Sequence, residues 1–296
     1  MQIEYKTGNH DTGALTKFQN FVPPLYNRRL AFSGKLLNEN SVSAVIIAFN
    51  EEPIIAKTLN QLYWCDEIII IDSGSGDATV DICKSFGCKI FFHSFKGFGE
   101  QKRFGVEKAR NNWILSVDAD EVLSEDLIYE IRTELSRPQI NYTAFAIPRN
   151  LVFTGTVFHF GKESKAPVIR LFDKRNSNWN EAIVHEKVCV NGAVKTLTQK
   201  ILHYSFRDYD HFINKINLYS GLGAQKLATE KRGKPILIIA LAVPFNFFKY
   251  YIIDRNFLNG FKGFIWSALC TWYHFLKHVK ALQLKKEEKS RNNHRL

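Results

Sequence analysis

Four short apolar segments, recurring at regular intervals, constrain the fold of this chain more than any other feature of its sequence. They begin roughly 21 to 25 residues apart and are VSAVIIA (42–48), EIIIID (67–72), CKIFFH (88–93) and WILSVD (113–118). Continuous β-branched runs of this kind are typical of strands covered on both faces, as in a parallel sheet. The segments between them, 53–63, 77–86 and 99–111, have helical character. Repeated βαβ units of this length predict an α/β domain with a mostly parallel, Rossmann-like sheet.

Three of the four predicted strands end in polar residues. Asn50 follows the first strand, Asp72 closes the second and Asp118 closes the fourth. Ligands of doubly wound sheets bind at the carboxyl ends of the strands, so these residues predict a nucleotide cleft at that edge. A plainer alternative exists for Asp72, which precedes Ser-Gly-Ser-Gly and could bond the backbone of its own turn.

The fourth strand runs into Asp118-Ala119-Asp120. Because successive strand residues point to opposite faces, Asp118 and Asp120 are expected on the same side. Two carboxylates there could converge on Mg²⁺ or Mn²⁺, with phosphate oxygens completing the coordination, as in a diphosphate clamp. The alternative is a strand-end turn followed by an acidic helix N-terminus, which is stabilised by the helix dipole.

Composition excludes several other classes of protein. Hydrophobic residues make up 45% and charged residues 23% of the 296 positions, which fits a globular chain with a buried core and excludes disordered or collagen-like chains. The five cysteines are scattered without metal-ligand spacing, so we expect a reducing compartment. The N-terminal MQIEYKTGNHDTG has no apolar core and predicts no secretion.

The C-terminal quarter is basic and rich in apolar and aromatic residues. Residues 225–296 hold 14 Lys/Arg against 4 Asp/Glu, in a chain of net charge +11. The segment 235–253 (PILIIALAVPFNFFKYYII) carries one charge and is barely long enough to span a bilayer. Apolar and aromatic surface beside lysine is typical of helices lying in the membrane interface. We expect peripheral or monotopic attachment to an anionic membrane surface, on the cytoplasmic face of the inner membrane. A true span and a helical pair buried against the domain are the alternatives.

Several motifs together resemble a known enzyme family. SAVIIAFNEE, EIIIIDSGSGDAT and QKRFGVEKARNNWILSVDADE resemble the donor-binding half of inverting family 2 glycosyltransferases, which have the GT-A fold. APVIRLFDK, the Ile183-Val184-His185-Glu186 motif, His203-Tyr204 and FLNGFKGF (257–264) resemble the lipopolysaccharide-core β-1,4-glucosyltransferase branch of that family. The resemblance covers about residues 41–280, and nothing before residue 41 contributes to it.

The resemblance implies roles at the nucleoside end of the cleft. Phe49, Asn50 and Glu52 would line the pocket of the nucleobase and ribose, and Asp72 would bind the base. A nucleotidyltransferase could use the same sheet, but it would carry a Gly-rich, basic phosphate loop where this chain has Phe-Asn-Glu-Glu.

It also implies roles at the phosphate end. Lys102 and Arg103 would lie near the nucleotide or its phosphates, although a solvated helix face is an alternative for both. Asp118 would bind the ribose or the sugar, and Asp120 would bind the divalent metal, Mg²⁺ or Mn²⁺, that bridges the diphosphate.

An inverting transfer needs one base to take the proton of the acceptor hydroxyl. Glu186 is the first candidate because it matches the acidic position of the resembled branch. His185 is a rival, since the pKa of histidine suits the task, and Asp173 and Glu181 are weaker candidates. Arg170 could reach a phosphate or pair with a structural carboxylate, and His203-Tyr204 could line the acceptor cleft.

The resemblance therefore implies a metal-dependent inverting hexosyltransferase. Its donor would be a nucleotide-diphosphate sugar, with UDP-linked glucose as the first candidate, and its acceptor a membrane-anchored glycolipid such as lipopolysaccharide core. A polyprenyl phosphate is the alternative acceptor. Residues 41–207 would form the catalytic domain, with a donor half (41–122) and an acceptor half (123–207), between an N-terminal extension (1–40) and a helical, basic, membrane-associating region (208–296).

A non-catalytic scaffold is the alternative from another class. Binding to nucleic acid would account for the basic, aromatic C-terminal region. We expect no nucleic-acid partner, because the positive charges flank long apolar runs, whereas a nucleic-acid groove would be more polar. The complete set of Asp72, Asp118, Asp120 and Glu186 argues against an inactive, degenerate homologue.

Overall fold

The structure is a computed structural model that describes residues 40–164, 167–180, 186–230 and 234–293, the last six of these by their backbone alone. The predicted N-terminal extension, apart from Asn40, lies outside the described residues. Glu181 and His185, the two candidate bases on the segment before Glu186, also lie outside them.

The four predicted strands form neighbouring members of one parallel sheet. They are β1 (Val42–Ala48), β2 (Glu67–Asp72), β3 (Lys89–Phe92) and β4 (Trp113–Asp118). β1 lies between β2 and β4, and β3 pairs with β2 at the edge of the sheet. The interior of β1 is buried, as its apolar run predicts for a strand covered on both faces. The predicted α/β fold with a mostly parallel sheet is confirmed.

Four helices connect these strands or cover them: α1 (Ile55–Leu59), α2 (Thr79–Ser85), α3 (Phe98–Lys108) and α4 (Glu125–Leu135). α1 is shorter than the predicted segment 53–63, because the chain first turns as Ile54 and Ile55 donate to the carbonyl of Glu51. α3 lies close against β1 at Gly105, where an added Cβ would come within 2.4 Å of Val45 Cγ1. Only glycine permits this approach.

The second half of the domain extends the sheet and adds a smaller one. β6 (Ala144–Ile147), β9 (Val168–Asp173) and β12 (Val194–Thr196) continue the main sheet, with β9 antiparallel to β4. β5 (Glu121–Val122), β7 (Arg149–Phe153), β8 (Thr156–Val157) and β13 (Ile201–Phe206) form a four-stranded sheet. β10 (Ser177–Trp179) and β11 (Val188–Val190) form a separate ribbon. Because β5 follows Asp120 directly and pairs with β13, it brings His203 opposite Glu121.

Three long helices form the C-terminal region: α5 (Tyr209–Thr229), α6 (Ile236–Phe248) and α7 (Gly260–Asn293). A π-helical turn (Lys249–Ile253) and a 3-10 helix (Asn256–Asn259) join α6 to α7. Aromatic packing ties α5 and α7 to the α/β domain, with the rings of Phe212 and Trp266 stacked 5.1 Å apart and Phe153 of β7 5.3 Å from each. Burial of these large rings stabilises the junction.

α6 and the π-helical turn expose most of their apolar surface. Residues 236–253 form the one helical stretch, among the described residues, that is long and apolar enough to cross a membrane, and only 6% of it is buried. Ile239 is its buried residue, on the side that contacts α7. The predicted apolar C-terminal helix is therefore confirmed. Its outer face is exposed, whereas the alternative of a helical pair buried against the domain requires that face to be covered.

Candidate active site

A cleft of about 930 Å³ opens at the carboxyl ends of β1, β2 and β4. This is the edge at which the polar strand ends predict a ligand site. Its charged lining comes from both halves of the domain and includes Glu51, Lys102, Asp118, Asp120, Glu186 and His203. The cleft thus brings together Lys102, Asp118, Asp120 and Glu186, which lie far apart in the sequence.

Asp118 is held between two cations. Its Oδ2 lies 2.5 Å from Nη2 of Arg170, and its Oδ1 lies 3.0 Å from Nζ of Lys102. Burial acts to raise the pKa of Asp118, but the guanidinium and the ammonium outweigh it and hold the pKa well below its usual range. Arg170 also contacts Glu121 at 2.7 Å, so its predicted pairing with a carboxylate is observed inside the cleft.

Asp120 lines the same cleft with a different set of partners. Its Oδ1 lies 3.4 Å from Nε2 of His203, and its carbonyl oxygen accepts a hydrogen bond from the backbone of Tyr204. Burial acts to lower the pKa of His203, but the carboxylate of Asp120 outweighs it and raises that pKa. Both aspartates therefore line the cleft, but Asp118 contacts two cations, whereas His203 is the side-chain partner of the Asp120 carboxylate among the described residues.

The residues around Asp120 fit a divalent cation that is shared with a substrate. The described residues contain no group of three or more His, Cys, Asp or Glu side chains that could enclose a metal. Mg²⁺ commonly takes one or two carboxylates and completes its shell with phosphate oxygens and water. The carboxylate of Asp120 suits this mode, whereas both oxygens of Asp118 face cations. The expectation that both aspartates converge on one metal stays a prediction, and the contacts of the two carboxylates favour Asp120 as the ligand.

Lys102 joins Glu186 to Asp118. Its buried Nζ lies 2.9 Å from Oε1 of Glu186 and 4.4 Å above the ring of Trp179. Among the described residues none donates to the second oxygen, Oε2, of Glu186. Glu186 is therefore held in the cleft by one oxygen, with the other able to accept a proton.

Two residues predicted to line the cleft instead stabilise the turn after β1. Asn50 and Glu52 do not line the cleft: Oδ1 of Asn50 accepts from the backbone of Gly76, and Oε2 of Glu52 accepts from the backbone of Ala78. Both side chains hold the loop before α2. Asn50 has a left-handed backbone with φ of 55°, which interrupts the strand alternation and redirects the residues that follow.

Glu51 lines the cleft instead, and the pattern of residues alone does not distinguish it from the chemically identical Glu52. Burial, followed by the negative charge of Asp120, raises the pKa of Glu51 to about 7. Asn50, the residue before Glu51, has the left-handed backbone that decides which of the two glutamates enters the cleft. Phe49 lines the cleft as predicted.

Two further predictions are corrected by position. The buried carboxylate of Asp72 accepts from the backbone of Gly74 and from Oγ of Ser75, so it bonds its own turn, and its neighbour Ser73 lines the cleft in its place. Arg103 lines a separate cavity of about 430 Å³ with Glu100 and Glu107, because adjacent helix residues point about 100° apart.

The remaining candidate residues also differ in whether they lie at the cleft. Asp173 pairs with Trp113 at the opposite end of β4 and binds Arg175, so it is wrong as a cleft residue. His203 lines the cleft. The Tyr204 hydroxyl accepts a hydrogen bond of 2.6 Å from Lys57.

Several known proteins that this chain resembles are glycosyltransferases. The family model described as Glycosyl transferase family 2 matches residues 43–193, which include Asp118, Asp120 and Glu186. An uncharacterized glycosyltransferase of Rickettsia typhi is 33% identical over 269 residues, covering 85% of this chain and 89% of its own length. The lipopolysaccharide core biosynthesis glycosyltransferase LpsC of Rhizobium meliloti is 28% identical over 250 residues, 82% of this chain and 92% of its own.

Likeness to solved structures is partial. Glucosyl-3-phosphoglycerate synthase from Mycobacterium tuberculosis, in complex with Mn²⁺ and UDP-glucose, is 19% identical with a TM-score of 0.32, covering 41% of this chain and 46% of that one. A superposition of this extent carries no argument about ligands or mechanism.

Proposed function

The chain belongs to glycosyl transferase family 2, and from that membership we propose that it transfers a hexose, with glucose as the first candidate, from a UDP-linked donor to a membrane-anchored glycolipid of the lipopolysaccharide-core type. The observation that supports this most is the cleft in which Asp120 and Glu186 come from opposite halves of the domain. The likeness to LpsC along most of the chain supports the choice of acceptor.

The donor would bind with its diphosphate near Asp120. A divalent cation, Mg²⁺ or Mn²⁺, held by Asp120 together with the diphosphate would offset the charge that develops on the leaving nucleotide. Arg170 and Lys102 would keep Asp118 ionised and fixed, as an acceptor of hydrogen bonds from the ribose or sugar hydroxyls. Glu51 is a further acceptor at the same end of the cleft.

Glu186 would act as the base. Its Oε1 is fixed by Lys102, and Oε2 would take the proton from the acceptor hydroxyl as that oxygen attacks the anomeric carbon. The bond to the nucleotide diphosphate breaks on the opposite face of the sugar, so the anomeric configuration inverts. Lys102 would also hold the Glu186 carboxylate in the same position between turnovers.

The C-terminal helices would hold the enzyme on the cytoplasmic face of the inner membrane. The outer face of α6 exposes Leu237, Leu241 and Phe245, and the start of α7 exposes Phe261. α6 also lies against α7, which packs along α5, so α6 would meet lipid with its outer face. A helix lying in the interface in this way buries its apolar face and places neighbouring lysines beside anionic headgroups.

Transfer of labelled sugar tests the function. Full-length protein, Mn²⁺ and radiolabelled UDP-glucose would be incubated with lipopolysaccharide truncated in its core, or with polyprenyl phosphate in matched micelles. Label entering the lipopolysaccharide supports the proposal, and label entering only the polyprenyl phosphate assigns the alternative acceptor. Failure to label either acceptor with UDP-glucose, UDP-galactose and the other common nucleotide sugars would contradict it.

A further inference from the structure

Three exposed phenylalanine rings line the cleft, and the roles above account for Phe49 but not for Phe95 and Phe98. Phe49, Phe95 and Phe98 are 57%, 52% and 41% exposed. The same cleft holds the ion pairs of Asp118 with Arg170 and of Asp120 with His203. Large apolar side chains exposed together inside a concave site are typical of ligand contacts.

Phe95 and Phe98 form a fixed pair. Their ring centroids are 5.0 Å apart with an interplanar angle of 72°, an edge-to-face arrangement that leaves ring surface open to the cleft. Phe95 belongs to the loop between β3 and α3, and Phe98 is the first residue of α3. Phe98 is therefore held by the helix, and Phe95 is held by the short loop that leads into that helix.

A buried side chain holds that loop in place. Nε2 of Gln101, which is fully buried, donates to Oγ of Ser73 at 2.7 Å and to the carbonyl oxygen of His93 at 2.9 Å. The His93 ring contacts Oε1 of Gln101 and stacks on Phe104 with centroids 4.2 Å apart. The loop after β3 is thus fastened to the loop after β2, so the aromatic pair is positioned before any ligand arrives.

The aromatic pair lies about one helical turn from Lys102. Phe98 and Lys102 are four residues apart on α3 and therefore share a face, about 6 Å apart along the axis. Lys102 contacts Asp118 at 3.0 Å. A ligand that is flat and apolar at one end and anionic at the other fits this arrangement, and a nucleoside diphosphate has that form.

We propose that Phe95 and Phe98, together with Phe49, form an aromatic clamp that stacks on the base of the donor nucleotide. The inference rests on the proposed donor and assigns to it two residues outside the motifs of the family resemblance. Stacking would supply much of the affinity for the base, since the carboxylate of Asp72 already accepts hydrogen bonds from its own turn. Every base presents a π face, so the clamp contributes affinity, and hydrogen bonds elsewhere select the base.

Calorimetric titration of the full chain with UDP in the presence of Mn²⁺ tests the clamp. Loss of a stacking ring weakens binding by about 1–3 kcal/mol, so Phe95→Ala and Phe98→Ala should each raise the Kd for UDP by about fivefold or more. Phe98→Tyr should stay near the wild-type value because it keeps the ring. Binding of inorganic pyrophosphate, which has no base, should be unchanged in all three variants.

Phe92 provides the matched control. It is 70% exposed and precedes the same loop, but it does not line the cleft, so Phe92→Ala should leave the Kd for UDP unchanged. If the wild type binds UDP and Phe95→Ala and Phe98→Ala bind it equally well, the clamp is wrong and the donor site stands. An equal loss of UDP and pyrophosphate binding would also overturn the clamp, since the rings would then act on the fold of the cleft. A wild type that binds neither probe would contradict the proposed function itself.

Discussion

Lys102 connects two acidic residues that the proposed reaction uses for different purposes. Its buried ammonium lies 3.0 Å from Asp118 and 2.9 Å from Glu186, so one side chain orients both a donor-side and an acceptor-side carboxylate. The pairing gives Glu186 a defined position. A base held in this way can be tested separately from donor binding.

Replacing Glu186 by Gln should remove turnover while UDP binding is retained. The amide keeps the shape of the side chain but cannot take a proton, and loss of a general base lowers rates by about 100- to 10,000-fold. Single-turnover transfer and UDP titration measure the two effects. Asp173→Asn, at the opposite end of β4, should retain turnover; normal turnover in Glu186→Gln would mean that another residue is the base.

Glu51 should make stability depend on pH. Burial and the charge of Asp120 favour the protonated form and raise the pKa of Glu51 in the folded chain from its usual 4.5 to about 7. Folding therefore gains from Glu51 below pH 4.5, and that gain is lost as the pH rises through 7. Above that pH the charged side chain lowers the free energy of unfolding.

Glu51→Gln removes this effect and should melt at a higher temperature than the wild type at pH 8. After allowance for solvent screening we expect a difference of about 1 kcal/mol, or a few degrees, shrinking towards pH 4.5. Thermal unfolding of both proteins across this range measures it. A difference that does not change with pH would show that Glu51 is ionised normally in the folded chain.

At the scale of elements, β1, β2 and β4 were predictable because an apolar run buried on both faces leaves a strong pattern in the sequence, whereas β3 is an edge strand that is only partly buried. Helix ends were less predictable, since α1 depends on a turn at Glu51 that the pattern does not reveal. The corrections in the site have the same origin. Whether Glu51 or Glu52 enters the cleft depends on the left-handed backbone of Asn50. Arg103 lies outside the cleft because Lys102 occupies the face of α3 that points into it.

The exposed face of α6 gives a prediction at this scale. Leu241→Glu should weaken binding to vesicles of phosphatidylcholine and phosphatidylglycerol by about tenfold or more, because a charge replaces an apolar side chain expected in the interface. Sedimentation with vesicles measures it. Tyr129→Glu, at a residue on α4 that is 73% exposed against 63% for Leu241, is the matched control, and equal binding by both variants would contradict attachment through α6.

At the scale of the whole molecule, a polar cleft and a large apolar surface belong to one continuous chain. The cleft takes residues from β1, β4, β9 and β13, and α5, which follows β13, contributes Tyr219 to its lining. The same helix packs along α7, which carries α6. Such an arrangement suits an enzyme whose donor is soluble and whose acceptor is anchored in lipid.

The central claim is that this cleft binds a nucleotide diphosphate through Asp120 and a divalent cation. Titration of the purified full chain with UDP, GDP and CMP, each with and without Mn²⁺, tests it most directly. The account predicts Mn²⁺-dependent binding of UDP that is lost in Asp120→Asn and retained in Glu186→Gln. A folded protein that binds none of the three nucleotides, or an Asp120→Asn variant that binds UDP as tightly as the wild type, would contradict it.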